Sequence, residues 1–253
     1  MDFSVQQFYD DFSEYYHLIF EDWDKSIERQ SMTIDSILRQ YDIDSKMPIL
    51  DCACGIGTQT LGLAKLGYHI YGSDISRKEI ERARIEAEAR KIKVDFFEAD
   101  FRMLSDVFDK TFRVVLAMDN ALPHLIEHQE LIEALSSIHS RIEPDGLFIA
   151  SIRDYDEILR TKPLSPSPYI IKTSLGRRIA FQLWEWHNDV YDFSQYIITD
   201  ESDMLETLKF QCKYRAITRS ELTDALSSVG FKKVEWIMPD KSKFYQPIMI
   251  ARK

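Results

Sequence analysis

Cysteine is scarce in this sequence, and long apolar runs are absent. Three cysteines among 253 residues are too few for a disulfide framework, which predicts a reducing, cytoplasmic location. No segment approaches the ~20 apolar residues that span a bilayer. The opening stretch, MDFSVQQFYDDF, carries acidic residues where a signal peptide has basic ones. We therefore expect no membrane partner.

Positive charge is also in short supply. The chain has 32 basic residues against 42 acidic ones, which gives a formal net charge of −10. This balance disfavours a broad electrostatic contact with phosphates, so we expect a small-molecule ligand and no nucleic acid. The hydrophobic content of 45% is typical of a globular domain that buries a core.

An alternation of strand and helix patterns begins at Met47. Short apolar runs predict strands at 47–53, 69–74, 94–100, 113–118, 147–152, 232–238 and 246–252. Amphipathic segments predict helices at 58–67, 75–91, 130–142 and 218–230. The last two strands are joined by a connection short enough for an antiparallel pair. The pattern predicts an α/β fold with a doubly wound, mostly parallel sheet.

Two regions lie outside this alternation. Residues 3–42 have a helical pattern with many aromatic and acidic side chains, and they precede the first strand. Residues 161–217 begin with the breaker-rich KPLSPSP and contain three β-leaning runs, 177–186, 192–200 and 205–217. The second region is therefore predicted to be an antiparallel insertion.

The first strand runs into the turn DCACGIG, residues 51–57. Ligands of open parallel sheets bind beyond the carboxyl ends of the strands, and Gly55 and Gly57 allow a ligand to approach the backbone closely. Asp74 ends the second strand about 20 residues later, where an acid that binds a ribose is expected. Asp100 ends the third strand, where either its carboxylate or a neighbouring backbone amide is expected to meet an adenine edge. Thr60 stands where a dinucleotide motif has its third glycine, which argues against NAD.

These motifs resemble those of class I S-adenosylmethionine-dependent methyltransferases. LDCACGIGT is similar to the first motif of that family, GSD to the second, EAD to the third, DNALPHL to the fourth and EPDGLFIAS to the entry into the fifth strand. The aromatic N-terminal segment, the N-x-x-x-H-L pattern and the RDYD after the fifth strand resemble the glycine/sarcosine N-methyltransferase group. The resemblance implies S-adenosyl-L-methionine as cofactor.

The resemblance also implies a domain organisation. It predicts a Rossmann-like, seven-stranded sheet with an antiparallel C-terminal strand, formed by residues 46–160 and 218–253. Residues 1–45 form a helical flap over the cofactor, and residues 161–217 form an inserted antiparallel β lid over the substrate.

Strand-end positions and the resemblance together predict the site residues. The cofactor-binding set is Tyr9, Arg29, Asp51, Ala53, Cys54, Gly55, Gly57, Asp74, Ile75, Asp100, Phe101 and Met118. The set at the reaction centre is Asn120, His124, Arg153, Tyr155 and Tyr245.

Several roles stay open at this point. His124 is either a general base or a wall of the pocket. Arg153 either clamps a carboxylate or pairs with Asp154 or Asp156. Aromatic residues of the insertion are candidates for a cage around a methylated cation. Cys52 and Cys54 have no partners at zinc spacing, so no metal is expected.

The function predicted from the sequence is methylation of a small molecule, with an amino acid or small amine as the leading acceptor. The alternatives are O-methylation of a hydroxyl or carboxyl, and cofactor binding without catalysis. An RNA methyltransferase is disfavoured by the acidic charge and the lack of a basic module. We expect a monomer or a homodimer.

Overall fold

The computed structural model describes residues 4–201 and 204–253. Residues 1–3 of the predicted flap lie outside this range. The helices, in chain order, are α1 (Val5–Phe12), α2 (Trp23–Gln40), α3 (Thr58–Lys65), α4 (Arg77–Ala89), α5 (His128–Ser140), α6 (Tyr155–Thr161), α7 (Arg219–Ser228) and α8 (Pro239–Ser242). The strands are β1 (Ile49–Asp51), β2 (Ile70–Asp74), β3 (Asp95–Glu98), β4 (Phe112–Ala117), β5 (Ile142–Ser151), β6 (Tyr169–Lys172), β7 (Gly176–His187), β8 (Val190–Glu201), β9 (Met204–Arg215), β10 (Lys232–Ile237) and β11 (Ile248–Arg252).

The main sheet has seven strands in the order β3-β2-β1-β4-β5-β11-β10. The pairs among β1 to β5 are parallel, whereas β11 is antiparallel to both β5 and β10. The predicted α/β fold with a closing antiparallel strand is confirmed. Strand order reverses at β1, which lies between β2 and β4, so the carboxyl ends of these three strands form the crevice where such sheets bind ligands.

Local sequence signals start the helices next to this crevice. Ser76 caps α4 by accepting a hydrogen bond from the backbone N–H of Glu79 at 3.1 Å, and Thr218 caps α7 through Glu221 at 3.2 Å. Both were predicted from the Ser/Thr-x-x-Glu spacing. A hydroxyl that satisfies a free N–H fixes the first turn, and so fixes where each helix meets the sheet.

The N-terminal helices pack against both the sheet and the insertion. In α2, the predicted apolar face is buried through Ile34, Ile37 and Leu38. Helix α1 carries Asp10, whose carboxylate accepts hydrogen bonds from the Ser76 hydroxyl at 2.6 Å and from the Lys78 N–H at 3.2 Å. Helix α1 therefore docks directly on the start of α4, beside the end of β2.

The insertion is a separate antiparallel sheet with four strands, in the order β6-β7-β8-β9. The sequence predicted three, and it missed β6. That strand follows the breaker-rich KPLSPSP and lies at a sheet edge, where Tyr169 and Ile170 are exposed. An exposed edge strand lacks the buried alternation from which strands are predicted.

Two further predictions needed correction around β5. Residues 143–146 were expected to separate helix from strand, yet β5 runs through them from Ile142. The register between β4 and β5 shifts here, so the turn-forming residues are absorbed as a bulge. Helix α6 was also not predicted.

No helix in the described part of the chain is long and apolar enough to cross a membrane.

Candidate cofactor and acceptor site

A cleft of about 890 Å³, partly open to solvent, lies at the carboxyl ends of the central strands. Of the predicted cofactor residues, all line it except Asp51, Gly57 and Arg29. Helix α1 contributes Val5 and Tyr9 from the opposite side, and Tyr16 follows in the next segment. The strands and the N-terminal helix thus meet across one space.

The floor of the cleft is the turn between β1 and α3. Gly55 has φ +53° and Gly57 has φ +97°, which disfavours any other residue at these positions. A Cβ atom built on Gly55 would lie 3.0 Å from Oε2 of Glu79. The backbone N–H of Gly55 donates to Oδ2 of Asp74 at 2.9 Å, which ties the turn to the end of β2.

Asp74 is buried and holds two backbone N–H groups. Its Oδ2 accepts from Gly55, and its Oδ1 accepts from Ser76 at 2.9 Å. Burial raises the pKa of Asp74 to about 6, although these hydrogen bonds oppose the shift. A carboxylate has about four lone-pair positions. Asp74 can therefore still accept hydrogen bonds from hydroxyl groups of a ligand in the cleft.

Asp119 lines the cleft shortly after the end of β4, and it was not among the predicted site residues. Its Oδ1 accepts a hydrogen bond from the Tyr245 hydroxyl at 2.5 Å, and its Oδ2 accepts from Nε2 of Gln59 at 2.7 Å. Burial raises the pKa of Asp119 above its usual range. The strand-end rule that selected Asp74 applies equally to Asp119 and would have found it.

Comparison with known proteins agrees with this architecture. Residues 49–146 match a family model described as a methyltransferase domain. The fold is similar to the structure of a SAM-bound amino pentose methyltransferase from Micromonospora echinaspora, with a TM-score of 0.75 and 16% identity over 90% of this chain and 91% of that one. Residues 49–146 therefore carry a methyltransferase domain, and the chain has the fold of solved S-adenosylmethionine-dependent methyltransferases.

Curated relatives of the chain include enzymes named for different acceptors. A ubiquinone biosynthesis O-methyltransferase of Rickettsia typhi is 29% identical over 70% of this chain and 68% of its own length. A glycine/sarcosine N-methyltransferase of Halorhodospira halochloris is 23% identical over 54% of this chain and 50% of its own length. The chain matches about half to two thirds of the length of such relatives.

Three residues that were predicted to bind the cofactor do not line the cleft, and each lies in a different place. Asp51 is fully buried beneath the turn, where it accepts a hydrogen bond from the Thr60 hydroxyl at 2.7 Å, and burial raises its pKa to about 7. Gly57 is the N-cap of α3. Arg29 is exposed on α2, so the structure does not bring it to the cleft. The neighbouring Gln30 is buried instead and accepts from Gln59 at 2.7 Å.

The Asp100 carboxylate is already engaged within the protein. Arg102 donates to it through the side chain at 2.7 Å and through the backbone N–H at 2.8 Å. Arg102 also contacts Glu130 at 2.8 Å. Of the two roles predicted for the end of β3, contact of a base with a backbone amide beside Asp100 fits this geometry better.

Three of the residues predicted at the reaction centre are linked by hydrogen bonds, at the contact between the main sheet and the inserted sheet. Nδ2 of Asn120 donates to the Tyr155 hydroxyl at 3.0 Å, and Oδ1 of Asn120 accepts from the Arg153 N–H at 3.0 Å. The Tyr155 hydroxyl also lies 3.0 Å from that of Tyr191 in β8. None of the three predicted residues is among those that line the described cleft. Their contacts join β4, β5 and the lid.

The guanidinium of Arg153 lies among aromatic rings of the insertion, and one of them, Trp184, was a candidate for a cage around a methylated cation. It lies 4.9 Å from the ring of Trp184, 5.5 Å from Phe193 and 5.1 Å from Tyr214. It also donates to the Tyr191 hydroxyl at 2.6 Å. At Trp184 the protein therefore supplies its own cation, and this ring face is not free for a methylated ligand.

The acidic residues that follow Arg153 in the sequence form salt bridges with a different arginine. Asp154 and Asp156 both contact Arg219, at 2.5 Å and 3.3 Å. The predicted ion-pair alternative for Arg153 is therefore wrong. Among the described residues no carboxylate forms a salt bridge with Arg153, and the phenol, amide and ring faces around it are neutral partners.

His124 lines the cleft and is held in the neutral form. Its Nε2 lies 2.8 Å from the Tyr9 hydroxyl, and its ring packs against that of Tyr214 with centroids 4.1 Å apart and planes tilted by 33°. Burial lowers the pKa of His124 to about 3, and the nearby Arg153 adds to the shift. A histidine with this pKa, whose Nε2 already has a partner, is a weak base.

The lowered pKa of His124 predicts a pH dependence of stability. Below pH 6.5 the unfolded chain protonates this histidine while the folded chain does not, so acid destabilises the fold. We expect His124→Phe to reduce the loss of unfolding free energy between pH 7 and pH 4.5 by about 2 kcal/mol. Urea denaturation at both pH values measures this. The same change at exposed His128 should have no such effect, and equal pH dependence in wild type and His124→Phe would contradict the assignment.

No group of three or more metal-binding side chains occurs within residues 4–201 and 204–253. Cys52 and Cys54 are buried free thiols, as is Cys212 in the lid. Burial raises the pKa of Cys52 and Cys54 well above the usual range, which makes them unreactive. Their position fits small residues that pack between β1, its neighbours and the cleft.

Proposed function

We propose that the protein transfers the methyl group of S-adenosyl-L-methionine to a small molecule, and that the acceptor is the nitrogen of an amino acid or other small amine. The observation that carries this proposal is the charge of the cleft. Asp74, Asp100, Asp119 and Glu130 line it, and its one lining arginine, Arg102, is occupied by Asp100 and Glu130. An acidic cleft favours cationic ligands over anionic ones.

The residues fit the cofactor. The turn at Gly55 leaves the backbone accessible, and Asp74 keeps lone pairs for the hydroxyls of a ribose. When bound, S-adenosylmethionine supplies a methyl group that is already activated by its sulfonium. The chain must then orient the acceptor behind that methyl and exclude water. Helix α1 supports this role, because it lines the cleft with Val5 and Tyr9 and packs against β9 of the insertion through Phe12 and Phe210.

O-methylation is the second candidate, supported by the O-methyltransferase relative and by the presence of His124 in the cleft. A hydroxyl acceptor needs a base with a pKa nearer the working pH. The pKa of His124 is too low for that role, and its Nε2 is bound to Tyr9. An amine that has lost its ammonium proton carries its own lone pair and does not need such a histidine.

Labelled S-adenosylmethionine and a metabolite panel test the proposal. We expect calorimetry to show cofactor binding, and mass spectrometry to show a methylated product from glycine, sarcosine or a related amine. Products only from phenols or carboxylic acids would favour O-methylation. Cofactor binding without a product from any acceptor would favour a non-catalytic role, and failure to bind the cofactor would contradict the proposal as a whole.

A further inference from the structure

Asp119 is held in a conformation that few residues adopt. Asp119 has φ +55° and Asn120 has φ +69°, two consecutive non-glycine residues in the left-handed region. Ser151 fixes this turn by accepting the Asp119 N–H on its hydroxyl at 2.8 Å and the Asn120 N–H on its carbonyl at 3.0 Å. Strained backbone of this kind concentrates at functional sites, where the surroundings hold it in place.

The Asp119 carboxylate has hydrogen-bond partners but no positive partner in the described part of the chain. Tyr245 and Gln59 each donate to one of its oxygens, and both are neutral. Gln59 is itself oriented by Gln30, which accepts from the same Nε2 at 2.7 Å. A negative charge that is oriented and partly buried, yet lacks a cation, is a ready partner for a positively charged ligand.

The strand order places Asp119 at the acceptor end of the cleft. Asp100, Asp74, the turn at Gly55 and Asp119 follow one another along β3, β2, β1 and β4. If the base and the ribose lie over β3 and β2, the reactive end of the cofactor lies toward β4. Asp119 then borders the space next to the transferred methyl, together with Tyr9 and His124.

We propose that Asp119 recognises the acceptor as a protonated amine and removes its proton, while Tyr245 and Gln59 hold the carboxylate in position. This inference rests on the proposed methyl transfer and narrows its acceptor to primary or secondary amines that are cationic in solution. The carboxylate first binds the ammonium by charge-assisted hydrogen bonds. It then acts as the base that the neutral, engaged His124 cannot provide.

The proton balance is simple. An N–H bond of the ammonium breaks, an O–H bond forms on Asp119, and the electron pair stays on nitrogen. The nitrogen uses that pair to form its new bond to the methyl carbon, and the electrons of the broken C–S bond remain on sulfur. Tyr245 is 55% exposed and touches Oδ1, so it connects the protonated carboxyl to water, which takes the proton before the next turnover.

The test compares Asp119→Asn with wild type on two kinds of amine. One is an alkylamine or amino acid that is protonated at neutral pH, and the other is an arylamine that is already neutral. We expect kcat/KM for the protonated amine to fall about 100-fold or more, while the arylamine changes by less than about threefold. Calorimetric affinity for S-adenosylmethionine should stay within about threefold of wild type, since Asp119 is assigned to the acceptor.

Two further variants keep the test decisive. Tyr245→Phe retains the carboxylate but removes one of its donors, so it should lower kcat/KM for the protonated amine by about tenfold even if Asp119→Asn does not fold. Asp109→Asn makes the same charge change at an exposed residue outside the cleft and should resemble wild type.

Each contrary outcome has a distinct meaning. Equal losses for both amines, or a loss of cofactor affinity with an unchanged acceptor KM, would overturn the role of Asp119 and leave the methyltransferase proposal intact. Turnover of hydroxyl acceptors but of no amine would overturn both the role of Asp119 and the proposed amine acceptor, and would leave only methyl transfer to a small molecule. Failure of the wild-type protein to bind S-adenosylmethionine would overturn both proposals.

Discussion

Asp74→Ala should weaken the binding of S-adenosylmethionine by about 100-fold or more. In the proposed complex Asp74 accepts hydrogen bonds from the ribose hydroxyls, and such bonds to a charged group contribute about 1.5–3 kcal/mol each. The substitution also removes the acceptor of the Gly55 and Ser76 N–H groups, so the turn at the cleft loses its tie to β2. Isothermal titration calorimetry measures the change directly.

Two controls separate a local effect from general damage. Asp74→Asn keeps one oxygen as an acceptor and should therefore lose less affinity than Asp74→Ala. Asp95→Ala removes an exposed acid from the start of β3, at the opposite end of the strands, and should leave binding unchanged. Undiminished binding in a folded Asp74→Ala protein would show that the cofactor lies elsewhere.

Arg153→Ala should lower the free energy of unfolding by about 3 kcal/mol. The side chain fills a space between the rings of Trp184, Phe193 and Tyr214, and its removal leaves a cavity and takes away the hydrogen bonds to Tyr191 and Gln182. Because these partners belong to β7, β8 and β9, the substitution should destabilise the packing of the inserted sheet against the end of β5. Denaturant melts and proteolysis of the lid measure it.

Matched variants define what Arg153 does. Arg153→Met keeps a long apolar stem in the cage and should recover part of the lost stability. Arg177→Ala removes an exposed lid arginine paired with Asp200, which should cost less than about 1 kcal/mol. Because Tyr191 and Gln182 hold the guanidinium of Arg153 and this residue does not line the cleft, KM should change alike for a carboxylic acid acceptor and for its amide. A rise confined to the acid would support the carboxylate clamp instead.

The sheet and its cofactor turn were predictable because their signals are local. A buried parallel strand appears in the sequence as an apolar run. Glycines that directly follow such a run, as Gly55 and Gly57 do, indicate a tight turn at the end of the strand. The same holds for Ser76 and Thr218, whose capping role depends on a residue three positions away. β6 and α6 were missed because an exposed edge strand and a short helix carry little periodicity.

The roles of the residues that follow β4 and β5 were harder to predict from the sequence. Asn120, Arg153 and Tyr155 follow strand ends, as site residues do, but their side chains turn toward each other and the lid. Arg29 and Gln30 are neighbours in α2, and only the packing of that helix decides which of them is buried. Adjacent helical residues point about 100° apart, so a one-residue difference in alignment exchanges their roles.

The sequence by itself determined the α/β fold, the glycine turn around Gly55 and the strand-end acid Asp74, because each depends on spacing along one stretch of chain. The tertiary structure alone decided the partners of the acceptor side. Asp119 meets Tyr245 and Gln59 from distant elements, Tyr9 reaches His124 across 115 positions, and Arg153 enters a cage built from three lid strands. Such contacts bring together residues with no regular spacing, so only the packed chain specifies them.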